Sequence, residues 1–287
     1  MQIDFMTLWD YQDPVTSATR FQTQLAEAVA SGDLPLELEL ITQLARTHTL
    51  RHQFDEAHQL LDAMTPRLTA HTERARLRWL LERGRCFNSA ADKEAARPLF
   101  EQVWQLALAL NEDYLAIDAA HMVAIVAPLP EQSRWHELAI TLAERSPDPL
   151  ARGWLASLYN NQGWTLFEQG RFDQALICQQ KCLAWHQAQG HQGKTFIARW
   201  SLARIQRAQG QHQEALNALL ALQTEMQDAG EQEDGYLYEE LGENYLVIDE
   251  TLAAEPFARA WFLLSQDAWC RINEGERLAR LKQLARL

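Results

Sequence analysis

Residues 158–176 read LYNNQGWTLFEQGRFDQAL, and the way this stretch is read decides the fold. Gly163 stands inside an apolar run where a helix would prefer Ala, and Gly170 breaks the run before FDQAL opens a second one. A small residue in a helix followed by a breaker and a second apolar run describes two helices packed closely against each other. Asn160, Asn161 and Trp164 sit beside the small residue, and packing alone does not call for them.

The same pattern recurs along the chain. The small residues of successive first helices are Ala45, Gly84, Ala120, Gly163, Ala203 and Gly242, at spacings of 39, 36, 43, 40 and 39. Second helices follow as FDEAHQLL from Phe54, KEAARPLF from Lys93, FDQALICQ from Phe172, HQEALNAL from His212 and PFARAWFL from Pro256. In the third unit a longer, proline-marked link, VAPLPEQSRW, is expected to precede a second helix HELAITLA from His136. A fixed period of this size is the signature of a solenoid. The small residues recur because helix backbones approach closely at that level. Gly170 and Gly210 suit the left-handed backbone of a helix end, where other units have polar turns such as His52-Gln53 or Ala90-Ala91-Asp92.

Composition agrees. Of 287 residues 47% are apolar and 23% charged, glycine and proline number only 12 and 9, and no Val/Ile/Thr alternation is long enough for a sheet. The expected class is all-α. The formal charge of −13 argues against nucleic acid as a partner. MQIDFMTLWDYQDP has no basic region ahead of an apolar core, so no signal peptide is expected there. No window approaches a membrane span, so a soluble, cytoplasmic protein without membrane association is expected.

Tyr159–Leu183, YNNQGWTLFEQGRFDQALICQQKCL, resembles a tetratricopeptide repeat in the order of its bulky residue, Gly, filler, turn Gly, aromatic and Ala. Glu240–Leu246, ELGENYL, repeats the opening half of that motif. The resemblance implies a right-handed superhelical α-solenoid of about six helix-turn-helix repeats over residues 34–271. Residues 1–33 form an N-terminal segment and capping helix, and 272–287 a C-terminal capping helix. The period here is near 40, against about 34 for the family. The capping helices are ATRFQTQLAEAVASGD from Ala18 and GERLARLKQLARL from Gly275, the latter with a stripe of Leu278, Leu281, Leu284 and Leu287. The first dozen residues show no helical period and are expected to be loose.

The resemblance further implies that first helices line a concave groove which takes an extended peptide. Helical spacing from the small residues then gives the inner wall. It places Arg85, His121, Asn160, Asn161, Trp164, Trp200, Arg204 and Arg207 there, with Gln43, Arg46, Glu82 and Asp118 earlier and an acidic end of Tyr236, Glu239, Glu240 and Glu243 later. Arginine forks suit carboxylates, Asn suits an extended backbone, and Trp supplies rigid contact area. The same residues have a structural reading, in which Arg204 and Arg207 pair with Glu239 or Glu243 of the next unit. The Lys/Arg set over three consecutive units that a terminal-carboxylate clamp needs is incomplete.

No GxSxG, GxGxxG or GxxxxGK[ST] motif occurs, and no enzyme, cofactor or metal is expected. Cys178/Cys182 and His48/His52, each spaced i, i+4, read as a buried pair and a helix end rather than as ligands. The expected function is a non-catalytic protein–protein interaction module that binds a peptide or protein segment. The alternatives are a regulator sensing a small peptide or anionic metabolite, and a homo-oligomeric scaffold, such as a homodimer, built on the leucine stripe.

Overall fold

The computed structural model describes residues 4–287, and the first three residues of the expected N-terminal segment lie outside them. Every regular element among the described residues is helical. The chain divides into two compact units, residues 1–158 and 159–287.

Unit 1 opens with a 3-10 turn (Phe5–Leu8) and α1 (Pro14–Ser31). Three helix pairs follow: α2 (Leu34–Leu50) with α3 (Phe54–Met64), α4 (Glu73–Ser89) with α5 (Lys93–Ala109), and α6 (Asp113–Val126) with α7 (Leu129–Arg145). A short helix, α8 (Pro149–Arg152), comes next, and α9 (Leu155–Glu168) belongs to unit 2 from Tyr159 onward. Unit 2 continues with α10 (Phe172–Ala188), α11 (Gln192–Ala208) with α12 (His212–Asp228), and α13 (Gly235–Ile248) with α14 (Ala254–Leu264). It ends in α15 (Ala268–Asn273) and α16 (Gly275–Leu284).

First helices pack on their own second helices, as α2 on α3, α4 on α5, α6 on α7, α11 on α12 and α13 on α14, and within a unit on the next first helix, as α2 on α4, α4 on α6 and α11 on α13. All six small positions lie in these seams. Ala45, Ala120 and Ala203 are buried, and the glycines face large neighbours. A Cβ on Gly84 would stand 2.5 Å from Phe100 Cε1, and one on Gly242 would stand 2.8 Å from Phe257 Cε1. Both phenylalanines are wholly buried, on α5 and α14. The ring fills the space that the missing side chain leaves, which keeps the seam dense.

Helix ends follow one scheme. Gly170, Gly190, Gly210 and Gly230 all take positive φ, and the same left-handed turn in unit 1 is made by Gly32, His52, Ala91 and Asn111. At Gly170 the backbone closes with Gly170 N–H on Phe167 O and Arg171 N–H on Leu166 O, which satisfies carbonyls the helix end would leave open. The polar turns of unit 1 thus have the glycine conformation without glycine.

Three expectations are corrected. The second helix of the third pair starts at Leu129, not His136, and the long proline-marked link is only Ala127 and Pro128. Proline presets φ near the helical value and needs no N–H in the first turn, so Pro128 as N-cap and Pro130 behind it start the helix rather than delay it. The capping helix α1 begins at Pro14, four residues before Ala18, with the Asp13 side chain accepting from Thr16 N. The first dozen residues are not loose from Asp4 onward: Phe5 is buried and packs with Phe21 of α1, their ring centroids 6.4 Å apart. At the other end α16 lays most of its leucine stripe on the core of unit 2. Leu281 is buried, Leu278 and Leu284 pack on the same core as Phe257 and Leu264, and Leu287 stays exposed.

Candidate functional site

The first-helix face of unit 2 is built from α9, α11 and α13. Trp164 of α9, Trp200 of α11 and Tyr236 of α13 form a line of rings, with centroids 5.9 Å apart at the first step and 6.3 Å at the second. Phe167 stands edge-on to Trp164 at 5.5 Å. The Arg204 guanidinium lies 5.5–5.9 Å from the rings of Trp200, Trp164 and Phe167. All five of these side chains are half-buried, so the rings are neither in the core nor free of it. The Trp200 indole N–H donates to the Tyr236 carbonyl at 3.1 Å and ties α11 to α13.

The charges of this face are paired. Arg207 grips Glu240 through Nε at 2.6 Å and a second nitrogen at 3.0 Å, and Arg204 stands 3.4 Å from the same carboxylate. Glu240 is 1% exposed, so these pairs act with little solvent around them. Burial works against the Arg207 charge, yet Glu240 holds the guanidinium above its ordinary range. The structural reading paired Arg204 and Arg207 with Glu239 or Glu243; their main partner is Glu240 instead, with Glu243 3.9 Å from Arg207. Glu239 and Glu243 are also held by arginines of α16: Arg277 lies 3.0 Å from Glu239 and stacks over Tyr236, and Arg280 pairs with Glu243. Arg277 and Arg280 escaped the sequence reading. Their signal was the i, i+3 basic pair between the leucines of the stripe.

The two asparagines separate. Asn160 faces α10, where the buried Gln179 donates to its backbone carbonyl at 3.3 Å and to its side-chain oxygen at 3.4 Å. Gln179 stands where Phe100 and Phe257 stand in other pairs, against Gly163, whose Cβ would lie 2.8 Å from Gln179 Nε2. Asn160 is thus the polar partner of a core position that has turned polar. Asn161 is half-buried and accepts from the Asn160 amide at 3.2 Å.

In unit 1, Arg85 of α4 is held between Glu82, at 2.5 Å, and Asp118 of α6. Burial opposes the charges of Arg85 and Asp118. Arg85 and Arg46 nevertheless keep Asp118 below the usual carboxylate range, and the two acids hold Arg85 charged. His121 packs on Trp154 at 5.4 Å and on His136 at 6.4 Å. Burial keeps both imidazoles neutral, with His136 pushed down to about 4. Beside Arg85 lies a cavity of about 540 Å³, lined among others by Gln43, Arg46, Glu82 and Asp118, which spacing had placed on one wall. Trp9 and Tyr11 also line it, and no helical spacing pointed to them.

Among the described residues no group of three or more His, Cys, Asp or Glu could hold a metal ion. Burial pushes the Cys182 thiol up to about 11, away from ligand-forming thiolate. His52 makes the left-handed turn that ends α2, and His48 Nδ1 lies 3.0 Å from Gln53 Oε1. No helix among the described residues is long and apolar enough to cross a membrane.

The tetratricopeptide repeat family model matches residues 154–221, the stretch that contains the ring line's first two members. No curated protein matches the chain in sequence. Solved structures share the fold. BtubC (BKLC) from P. vanneervenii superposes with a TM-score of 0.62 at 14% identity, over 78% of this chain and 94% of its own. A tetratricopeptide repeat protein from Parabacteroides merdae gives 0.52 at 16% identity, over 99% and 96%. A signal transduction ATPase with a tetratricopeptide repeat sensor from Pyrococcus horikoshii gives 0.64 at 14%, over 90% of this chain but 39% of that one. Residues 154–221 thus match a tetratricopeptide repeat model, and the described residues form six helix pairs in an all-α fold shared with solved tetratricopeptide repeat structures, repeats that in general serve protein–protein interaction.

Proposed function

We propose that the chain is a non-catalytic interaction module that takes an extended segment of a partner protein across the first-helix face of unit 2. The observation that supports this most is the half-buried ring surface of Trp164, Phe167 and Trp200 with Arg204 held among the rings. Rigid aromatic and arginine side chains carry most binding energy at protein interfaces because they lose little entropy on contact. The arginines that a free anion would need are already paired with Glu240, which favours apolar and aromatic side chains of a peptide over an anionic metabolite. The leucine stripe is largely covered within the cap, which leaves the homo-oligomeric scaffold little to build on.

Affinity capture from the native cell extract tests this with wild-type chain, Trp164→Ala and Arg204→Ala. Both variants are expected to stay folded at a cost of about 1–3 kcal/mol, because their side chains are only part-buried. Both are expected to lose at least ten-fold of a specific protein that the wild type retains. Equal retention by folded variants would refute the reading.

A further inference from the structure

Second helices bury one stripe of four positions, at i, i+4, i+7 and i+11 from the small residue that opens it. In α5 the stripe is Ala96, Phe100, Val103 and Ala107, and in α14 it is Ala253, Phe257, Ala260 and Leu264, all buried. At the two middle places α3 carries Leu61 and Met64, and α12 carries Leu219 and Leu222. In α10 the same four positions read Ala175, Gln179, Cys182 and His186, and these are buried too. α7 shows one polar break of this kind, His136, with Ala139 and Ala143 after it. α10 lacks a large apolar side chain at all three places behind its opening Ala.

Polarity grades along the α9–α10 pair. At the turn around Gly170 the pair is apolar: Leu166 of α9, Ala175 of α10 and Ile205 of α11 share one buried cluster, with Phe167, Phe172 and Leu176 packed on it. Further along α10, Gln179 lies against Gly163, and its amide donates to the carbonyl and the side-chain oxygen of Asn160 through long bonds of 3.3 and 3.4 Å. Gln179 Oε1 and His186 Nδ1 are buried and have no hydrogen-bond partner among the described residues. Separating α4 from α5, or α13 from α14, puts Phe100 or Phe257 into water, which is unfavourable. Separating α9 from the far half of α10 instead gives water to Gln179 and His186, whose polar atoms the closed seam leaves unpaired. The open form is therefore less disfavoured here, while the apolar turn end keeps the two helices joined.

We propose that the α9–α10 pair is a hinge built into unit 2. It pivots at the apolar turn end near Gly170 and opens along Gln179, Cys182 and His186, and α9 carries Trp164 with it. The ring line then has a closed and an open arrangement, and an occupant of the face selects between them. The use of the hinge rests on the reading of that face as an interaction surface. The opening itself does not, and it is measured with no partner present.

Hydrogen exchange and thiol labelling of the full chain test it. Amides of residues 159–165 and 179–187 are expected to exchange at least ten-fold faster than those of the α4–α5 and α13–α14 pairs. Chain ends fray first, so faster opening in α9–α10 than in α13–α14 has a local cause. Cys182 is a probe within the stripe: a maleimide, located by mass spectrometry, is expected to label it at least ten-fold faster than Cys86, which is buried in α4. Gln179→Phe gives Gly163 the partner that Gly84 and Gly242 have, and Gln179→Leu copies α12. Both are expected to slow exchange and labelling at least ten-fold. Wild-type exchange in α9–α10 equal to that of the other pairs overturns the proposal without any variant. Folded variants with unchanged rates overturn the polar stripe as the cause. Fast exchange in 179–187 with full protection in 159–165 would mean that α10 opens alone, and would remove the ring line from the hinge. A chain that opens as expected but captures no partner through Trp164 keeps the hinge and loses the interaction reading.

Discussion

Glycine at the first-helix seam answers to whatever stands opposite it. At Gly84 and Gly242 the opposite group is the edge of a phenylalanine ring, which cannot retreat in a full core; at Gly163 it is the end of Gln179, which can turn. Alanine at Gly84 or Gly242 is therefore expected to cost about 1–3 kcal/mol through overpacking. At Gly163 the gain in helix propensity, about 1 kcal/mol, offsets most of the strain, and the net change is expected to stay within about 1 kcal/mol. Urea unfolding of the three variants checks the order, and Gly163→Ala as the most destabilised would contradict it. The small residues were legible in the sequence because close packing restricts side-chain volume at a fixed period. Gln179 was not, because nothing local shows that a polar side chain on α10 points into the seam. Asn160 therefore looked like a ligand contact when its partner is nineteen residues away in the same fold.

At the level of elements, helix existence and period were readable, and helix starts were not always. Apolar spacing reports buried faces, and the first turn of α7 carries Pro130, Glu131 and Gln132, which bury little and leave no periodic mark. Helix ends in unit 1 hold a readable strain. Ala91 sits at φ +65°, a conformation that costs an L side chain about 1 kcal/mol and glycine almost nothing. Ala91 is exposed, so its methyl group contributes little packing in return. Ala91→Gly is expected to raise stability by about 0.5–1 kcal/mol in thermal or urea unfolding. No change, or a loss, would mean that the turn is held by something other than its backbone preference.

Over the whole chain, spacing brought together Arg85 with Glu82 and Asp118 in unit 1 and Trp164 with Trp200 and Arg204 in unit 2, because a helical period carries direction as well as position, whereas Asn160 turns to α10 and His121 to α7. Spacing did not show their commitments. The arginines meet carboxylates one repeat further on, and the aromatic segment at residues 4–13 reaches the wall of unit 1 without any period of its own. What remains uncommitted in unit 2 is ring surface, and the central claim is that a partner lies on it. A photo-crosslinking amino acid placed at position 164, on the ring line, and separately at exposed position 177 of the second helix α10, tests this in the native cell. The expected result is a discrete crosslinked partner from position 164 and none from 177. Crosslinking from 177 with none from 164 would contradict the claim.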